Sequence, residues 1–192
     1  VLTENNIEYD IYIHKYNLKI LNNPRSGEKN KKLDQNEYKL LNAKEIIIDN
    51  QDEFDSSFDY KEVFKYGDCF HDKFRSLKNL IRQLNSLKKV TSIIKKKEIY
   101  DSYLYIRPDQ LLIEKIDINY FKYKMNKDYL LTPYFANNNG RWVNDRMAIG
   151  NYGGIVKYGE RIDLIYDYME EKGKLHSESL VKYLVNKKEI NS

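Results

Sequence analysis

The sequence predicts an α/β fold in which helices cover both faces of a mixed, mostly parallel sheet. Short segments rich in β-branched and aromatic residues alternate with segments of helical periodicity. Hydrophobic residues make up 41% of the 192 residues, which is enough to build a core. Residues 72–97 carry apolar side chains three and four positions apart, as expected of a helix that lies on a sheet. Strands that alternate with helices are typical of such a layered domain.

Five segments are predicted to be strands, because each combines β-forming residues with apolar alternation or a short apolar run. These segments are residues 7–13, 43–48, 100–106, 129–134 and 147–149. Pro108 ends the third segment, because proline has no N–H group to donate to a sheet. Residues 22–38 and 136–141 are polar and are predicted to be loops.

Two further segments, residues 158–172 and 177–186, show helical periodicity. Gly173 is a plausible end for the first, and Ser177 is expected to cap the second. Residues 150–154 are rich in glycine, but no Gly-Lys-Ser/Thr follows them, so they are not a phosphate-binding loop. We predict a tight turn there.

Composition excludes several classes of protein. Cys69 is the only cysteine, so a disulfide within the chain is impossible and a reducing compartment is expected. No run approaches ~18 apolar residues, so no membrane span is predicted. The net charge is +4, and Lys and Arg are interleaved with Asp and Glu, so no nucleic-acid partner is expected.

Arg107 and Asp109 flank Pro108 at the exit of a predicted strand. In open α/β sheets, ligands bind beyond the carboxyl ends of strands. The guanidinium of Arg107 suits phosphate, and the carboxylate of Asp109 suits Mg²⁺ or Mn²⁺, so together they suit a diphosphate. The same spacing also fits an ion pair that closes the end of the strand.

Asn144, Asp145 and Arg146 form a second polar cluster, directly before the strand 147–149. Asp145 is a candidate general base for a hydroxyl group. The alternative is a turn in which Asp145 accepts backbone hydrogen bonds and Arg146 pairs elsewhere. The ring of Trp142, in the preceding polar loop, could stack on a sugar or a base, or pack the loop down.

His176 is a candidate metal ligand beside the final predicted helix. Glu178, in the first turn of that helix, also fits a purely structural role, because a negative charge is stabilising at a helix N-terminus.

Three motifs occur in one order along the chain, followed by a helix with Tyr158, Arg161 and Tyr168 and then by Ser177-Glu178. The motifs are Tyr9-Asp10-Ile-Tyr-Ile-His14, Tyr100-Asp101-Ser-Tyr-Leu-Tyr-Ile-Arg107-Pro108-Asp109 and Asn144-Asp145-Arg146-Met-Ala-Ile-Gly150. From residue 7 to about residue 185, the chain resembles a family of small GT-A-type glycosyltransferase domains found in capsular-polysaccharide and large-DNA-virus proteins.

The resemblance implies one GT-A-like (Rossmann-like) domain over residues 1–192, with a nucleotide-sugar donor, a glycan or protein-linked acceptor, and Mn²⁺ or Mg²⁺. Asp109 matches the second carboxylate of the family's Asp-x-Asp motif, and Arg107 replaces the first. Asn144, Arg146 and Trp142 would line the donor site, and His176 or Glu178 would supply a late metal or phosphate contact. The expected location is the cytoplasm, or the host cytoplasm for a viral protein.

In a second respect the chain departs from the family, which opens with a further strand and a turn that bears glycine and arginine and contributes to the nucleotide pocket. Residues 1–6 do not match that turn, and the chain begins at Val1, so either the N-terminus is incomplete or the pocket is built differently.

Two other functions fit parts of the sequence. Pro108-Asp109 followed by Glu114-Lys115 is faintly similar to the active site of a metal-dependent nuclease, although the spacing is too short. The lysines and the 18 tyrosines would also suit a non-enzymatic module that binds nucleic acid or protein.

Overall fold

The computed structural model describes residues 7–23, 27–97, 100–107, 115–117, 119–123, 125–135, 142–187 and 190. About 44% helix and 19% strand make the protein mixed α/β, which confirms the predicted class. Tyr9–Asp59 forms one compact unit, here the N-terminal unit, and the described residues from Tyr60 onward, with residues 7–8, form the second. The assignment of residues 1–192 to a single domain stays a prediction, because compact units and functional domains need not coincide.

The N-terminal unit contains one parallel strand pair and one hairpin. Strands β1 (Tyr12–Tyr16) and β4 (Glu45–Asp49) run parallel, and β2 (Ile20–Asn23) pairs antiparallel with β3 (Glu28–Lys32). The hairpin corrects part of the loop predicted at residues 22–38. β3 is polar and almost wholly exposed, so it lacks the apolar alternation by which strands are recognised.

Two short helical elements complete this unit. A 3-10 turn spans Glu37–Leu41, and helix α1 (Gln51–Ser57) follows β4 directly. The side chain of Asn50 caps α1 by accepting the backbone N–H groups of Asp52 and Glu53.

The second unit begins with helices α2 (Tyr60–Phe64) and α3 (Arg75–Ile94), and the latter confirms the longest predicted helix. α3 begins three residues later than expected, because two carboxylates hold the preceding turn. Asp68 accepts the backbone N–H groups of Asp72 and Phe74, and Asp72 accepts that of Ser76. The buried apolar residues of α3 form its core-facing stripe: Leu77, Leu80, Ile81, Leu84, Ile93 and Ile94.

The three-stranded sheet of this unit is antiparallel throughout, in the order β5 (Tyr103–Ile106), β7 (Met147–Gly150) and β6 (Leu130–Leu131). Helix α4 (Asn119–Lys122) lies between β5 and β6 along the chain. The expectation of a mostly parallel sheet is therefore wrong for the described strands, which make one parallel pairing and three antiparallel ones. Parallel neighbouring strands need a crossover connection such as a helix, but a helix between two strands does not force them to run parallel. Alternation of strands and helices along the chain therefore does not set strand direction.

Three helices follow the sheet: α5 (Tyr152–Gly159), α6 (Ile165–Lys172) and α7 (Ser177–Lys187), with a 3-10 turn at Arg161–Leu164 between the first two. The predicted helix over 158–172 therefore divides between the end of α5, the 3-10 turn and α6. The core of the unit packs α3, α5 and α7 against the sheet through residues that include Ile94, Tyr105, Leu130, Ala148, Ile155, Tyr158, Val181 and Leu184. No helix in the described part of the chain combines the length and the apolar character needed to cross a membrane.

The predicted tight turn at residues 150–154 is wrong, because α5 begins inside it. The side chain of Asn151 accepts the backbone N–H of Gly154 and caps the helix. A Cβ atom at Gly154 would overlap the backbone oxygen of Tyr129. Gly154 therefore allows the first turn of α5 to lie directly against the backbone of Tyr129, the residue before β6.

Replacing Asn151 by Ala is expected to lower the free energy of unfolding by about 1–2 kcal/mol, as loss of a helix N-cap does. The Asn151 amide oxygen accepts the N–H groups of Gly154 and Tyr129, at 3.1 and 3.2 Å, and its nitrogen donates to the Lys127 carbonyl at 3.0 Å. Urea unfolding measures the loss. Asn151→Asp keeps the acceptor and should lose less, so equal losses in the two variants would contradict the capping role.

Candidate functional site

The two polar motifs at Arg107 and at residues 144–146 meet at one end of the three-stranded sheet. Ile106, the last residue of β5, lies opposite Met147, the first residue of β7. Because the strands are antiparallel, β5 ends at the edge where β7 begins, so Arg107 leaves the sheet where Asn144, Asp145 and Arg146 enter it. Pro108 and Asp109 lie outside the described residues, and so does the predicted loop 136–141.

Asn144 holds the turn that leads into β7. Its side chain is buried, its nitrogen donates to the Phe135 carbonyl at 3.0 Å, and its oxygen accepts the Arg146 backbone N–H at 3.0 Å. Both polar atoms of Asn144 are therefore used within the protein. This arrangement fixes the positions of the two charged residues that follow.

Asp145 is buried, with 8% of its surface exposed, and its backbone oxygen accepts the hydroxyl of Tyr158 at 3.0 Å. Burial raises the pKa of Tyr158, the positive charges of Arg161 and Arg107 lower it, and the negative charge of Asp145 raises it. Both arginines and Asp145 therefore lie within electrostatic reach of one phenol. Arg107 and Asp145, predicted from separate motifs, are brought to the same place.

Tyr158 and Arg161 are functional candidates that our sequence interpretation did not select as site residues. The Tyr158 ring stacks on the Tyr105 ring at 5.9 Å, and the guanidinium of Arg161 lies 3.9 Å from the Tyr158 ring centre. The signal available in the sequence was an arginine among the apolar residues that end α5 and begin α6. That pattern does not reveal burial, because an arginine at the same position could also face solvent.

Glu178 joins the site from the first turn of α7. Its backbone oxygen accepts the Val143 N–H at 3.3 Å, and its carboxylate lies 3.9 Å from Nη1 of Arg146. The Glu178 side chain is only 14% exposed. Burial and the charge of Asp145 raise the pKa of Glu178, whereas His176 and Arg146 lower it. The sequence explained Glu178 by the helix dipole, and the resemblance named it as an alternative to His176 for a late metal or phosphate contact, but neither placed this carboxylate near Asp145.

Trp142 and His176, predicted from distant parts of the sequence, are in ring contact. Their ring centres are 5.1 Å apart, and the Phe70 ring stacks on the His176 ring with a centre-to-centre distance of 5.8 Å. The structure thus brings a third aromatic residue, Phe70, to these two. The rings form an aromatic cluster of Phe70, His176 and Trp142.

The helix cap of α7 is His176 and not Ser177, which corrects the predicted cap. The Nδ1 atom of His176 accepts the Ser179 backbone N–H at 3.4 Å, and its backbone oxygen accepts the Leu180 N–H at 2.9 Å. Because Nδ1 accepts the Ser179 N–H, the neutral ring carries its proton on Nε2, which is then a donor and not a metal ligand. The predicted metal contact of His176 would require Nε2 to lose that proton.

Among the described residues, no group of three or more His, Cys, Asp or Glu side chains is placed to hold a metal ion. Asp145 and Glu178 could supply two carboxylate oxygens, the ligand type that Mg²⁺ and Mn²⁺ prefer. The predicted ligand Asp109 lies outside the described residues, so the predicted metal site stays untested.

Comparison of the chain with protein-family models, with curated proteins and with solved structures finds no match in any of the three. The functional interpretation therefore depends on the site itself. Its charged residues lie at one end of the sheet: Arg107, Asp145, Arg146 and Glu178. The aromatic cluster includes His176, two residues before Glu178.

Proposed function

We propose that this protein is a nucleotide-sugar-dependent glycosyltransferase with a GT-A-like (Rossmann-like) domain. It moves a sugar from a nucleotide-diphosphate donor to a hydroxyl of a glycan or protein-linked acceptor. The observation that carries the proposal is the meeting of Arg107 and Asp145 at one end of the β5–β7 pair. Sugar transfer needs both a cation for the departing diphosphate and a carboxylate for the attacking hydroxyl.

Asp145 is the proposed general base. Its carboxylate takes the proton of the acceptor hydroxyl while that oxygen bonds to the anomeric carbon of the donor sugar. The bond from the anomeric carbon to the diphosphate oxygen breaks, and its electron pair leaves with the nucleoside diphosphate. The buried Tyr158 hydroxyl donates a hydrogen bond to the backbone oxygen of Asp145. This bond supports the role because it fixes the position of Asp145.

Arg107 and Arg146 are the proposed diphosphate contacts. A guanidinium group offers a planar set of donors that matches phosphate oxygens. Nη1 of Arg146 is buried and has no hydrogen-bond acceptor among the described residues; the Glu178 carboxylate is 3.9 Å away. A phosphate oxygen would satisfy this donor. Bound Mn²⁺ or Mg²⁺ would neutralise further charge on the diphosphate, with Asp109 as its proposed ligand.

The aromatic cluster is the proposed contact for the sugar or the base, since aromatic side chains such as Trp142 stack on flat or apolar ligand faces. A nucleotide-sugar donor also fits the proposed cytoplasmic location, or the host cytoplasm for a viral protein. Nucleic acid is not among the proposed partners.

Thermal unfolding tests the proposal. The chain is heated with UDP, GDP, CDP or dTDP, with and without Mn²⁺, beside Asp109→Asn. A ligand at ~100 times its Kd adds about 2.7 kcal/mol of stability, which is an easily measured rise in Tm. We expect one nucleotide to raise the Tm of the wild-type chain and to have little effect on Asp109→Asn.

Asp163→Asn is the matched control, because the Asp163 side chain is exposed and pairs with Lys88 of α3. This variant should respond to the nucleotide as the wild type does. If no nucleotide changes the Tm of the wild-type chain under either metal condition, the glycosyltransferase proposal is contradicted.

A further inference from the structure

Arg161 is a fully buried arginine whose donor groups are only partly used. None of its surface is exposed, and it lies in the 3-10 turn between α5 and α6. Its Nη1 atom donates to the backbone oxygen of Tyr158 at 2.8 Å. The face of the guanidinium covers the Tyr158 ring at 3.9 Å. One donor atom and one face of the group are therefore occupied by Tyr158.

The Nε and Nη2 atoms of Arg161 have no hydrogen-bond partner in the described part of the chain. These two nitrogens lie on the same edge of a guanidinium and point their N–H bonds in parallel. That edge forms the two-pronged contact by which arginine binds a carboxylate or a phosphate. Both nitrogens of this edge of Arg161 are therefore buried without a hydrogen-bond acceptor among the described residues.

Among the described residues, the acidic groups near Arg161 do not compensate its charge by direct contact. Glu160 is adjacent in sequence, but its carboxylate accepts a hydrogen bond from Lys95 at 2.7 Å. Asp145 shares the surroundings of Tyr158 with Arg161, yet Arg107 adds a second positive charge there. A guanidinium stays protonated when buried, and a buried charge without an anionic partner is strongly destabilising. The region therefore favours an additional anion.

We propose that the Nε–Nη2 edge of Arg161 is a binding site for a phosphate-type oxyanion. The inference rests on the proposed function in one respect: the diphosphate of the donor is one source of this oxyanion, and free inorganic phosphate is the other. Because Arg161 is fully buried, the oxyanion reaches this edge through a local opening of the surrounding structure. The binding is therefore best measured at equilibrium.

The experiment compares thermal unfolding in potassium chloride, inorganic phosphate and pyrophosphate at matched ionic strength. The test variant is Arg161→Met, which removes the guanidinium group. The control is Arg75→Met, because the Arg75 side chain is exposed at the start of α3. We expect phosphate or pyrophosphate to raise the Tm of the wild type and of Arg75→Met above the value in chloride. Arg161→Met should show no such rise.

A second measurement needs no variant to fold. In the wild-type chain, NMR follows the Nε–H signal of Arg161 during a pyrophosphate titration. The signal should move in a saturable way with the same midpoint as the Tm response, whereas the exposed Arg75 signal moves little. If the Arg161 signal stays in place, or if Arg161→Met keeps the full Tm response, the oxyanion site is refuted.

The same experiment separates this inference from the proposed function. If a nucleoside diphosphate stabilises the wild type and Arg161→Met equally, the glycosyltransferase proposal stands and the Arg161 site fails. If pyrophosphate acts through Arg161 but no nucleoside diphosphate raises the Tm on its own, the oxyanion site stands with inorganic phosphate as its ligand, and the glycosyltransferase proposal fails.

Discussion

Replacing Asp145 by Asn is expected to lower kcat/KM for sugar transfer by about 10²–10⁴-fold, the usual contribution of a positioned general base. Asparagine has nearly the same shape but cannot accept the proton of the acceptor hydroxyl. The hydrogen bond from Tyr158 to residue 145 uses the backbone oxygen, so the substitution leaves it in place. Initial rates with sugar donors that carry the nucleotide identified by thermal unfolding measure the effect.

Nucleotide binding provides the control for this variant. Asp145→Asn should keep the Tm rise caused by the nucleoside diphosphate, because the proposed diphosphate contacts are arginines. A variant that binds the nucleotide and transfers sugar at the wild-type rate would show that Asp145 is not the base. A variant that loses nucleotide binding would place Asp145 in the donor site instead.

Gly154→Ala is expected to destabilise the second unit by about 1–3 kcal/mol, the usual range for overpacking. A methyl group at this position would overlap the backbone oxygen of Tyr129 and lie close to its backbone nitrogen and carbon. A backbone cannot rotate away as a side chain can, so α5 and β6 would have to separate. This strain exceeds the ~1 kcal/mol that Ala usually adds over Gly within a helix. Urea or thermal unfolding measures the loss.

Gly153→Ala is the matched control, one position earlier in the same helical turn. A methyl group there would meet only the carboxylate end of Asp128, a flexible side chain that pairs with Lys157 at 2.7 Å. The carboxylate can move, so we expect a much smaller loss of stability than in Gly154→Ala. Equal losses in the two variants would show that the contact of α5 with the Tyr129 backbone is not what requires glycine at residue 154.

Several elements could be predicted because their causes are local. The stripe of α3 is visible in the spacing of Leu77, Leu80, Ile81 and Leu84, and these residues are buried as the spacing requires. The strand at Met147–Gly150 is a short apolar run between polar segments. β3 could not be predicted in this way, because an exposed hairpin strand buries no face and so shows no apolar pattern.

The candidate site was predicted in part. Arg107 and Asp145 were selected because each is a charged residue at the end of a strand, and the structure places both near Tyr158. Arg161 was not selected and Glu178 was named only through the resemblance, since an acidic residue in a first helical turn and an arginine among apolar residues each have an ordinary structural explanation. Their importance depends on which side chains surround them.

The α/β class, the main helices and the two polar motifs could be predicted from local patterns, because periodicity and the residues beside strands act over a few neighbouring positions. The antiparallel pairing of β5 with β7, which brings Arg107 to the same edge as Asp145, became visible only in the folded chain. So did the burial of Arg161, whose Nε and Nη2 atoms have no hydrogen-bond partner among the described residues. Strand direction and the burial of a charge depend on contacts between residues far apart in the chain, and local patterns do not encode those contacts.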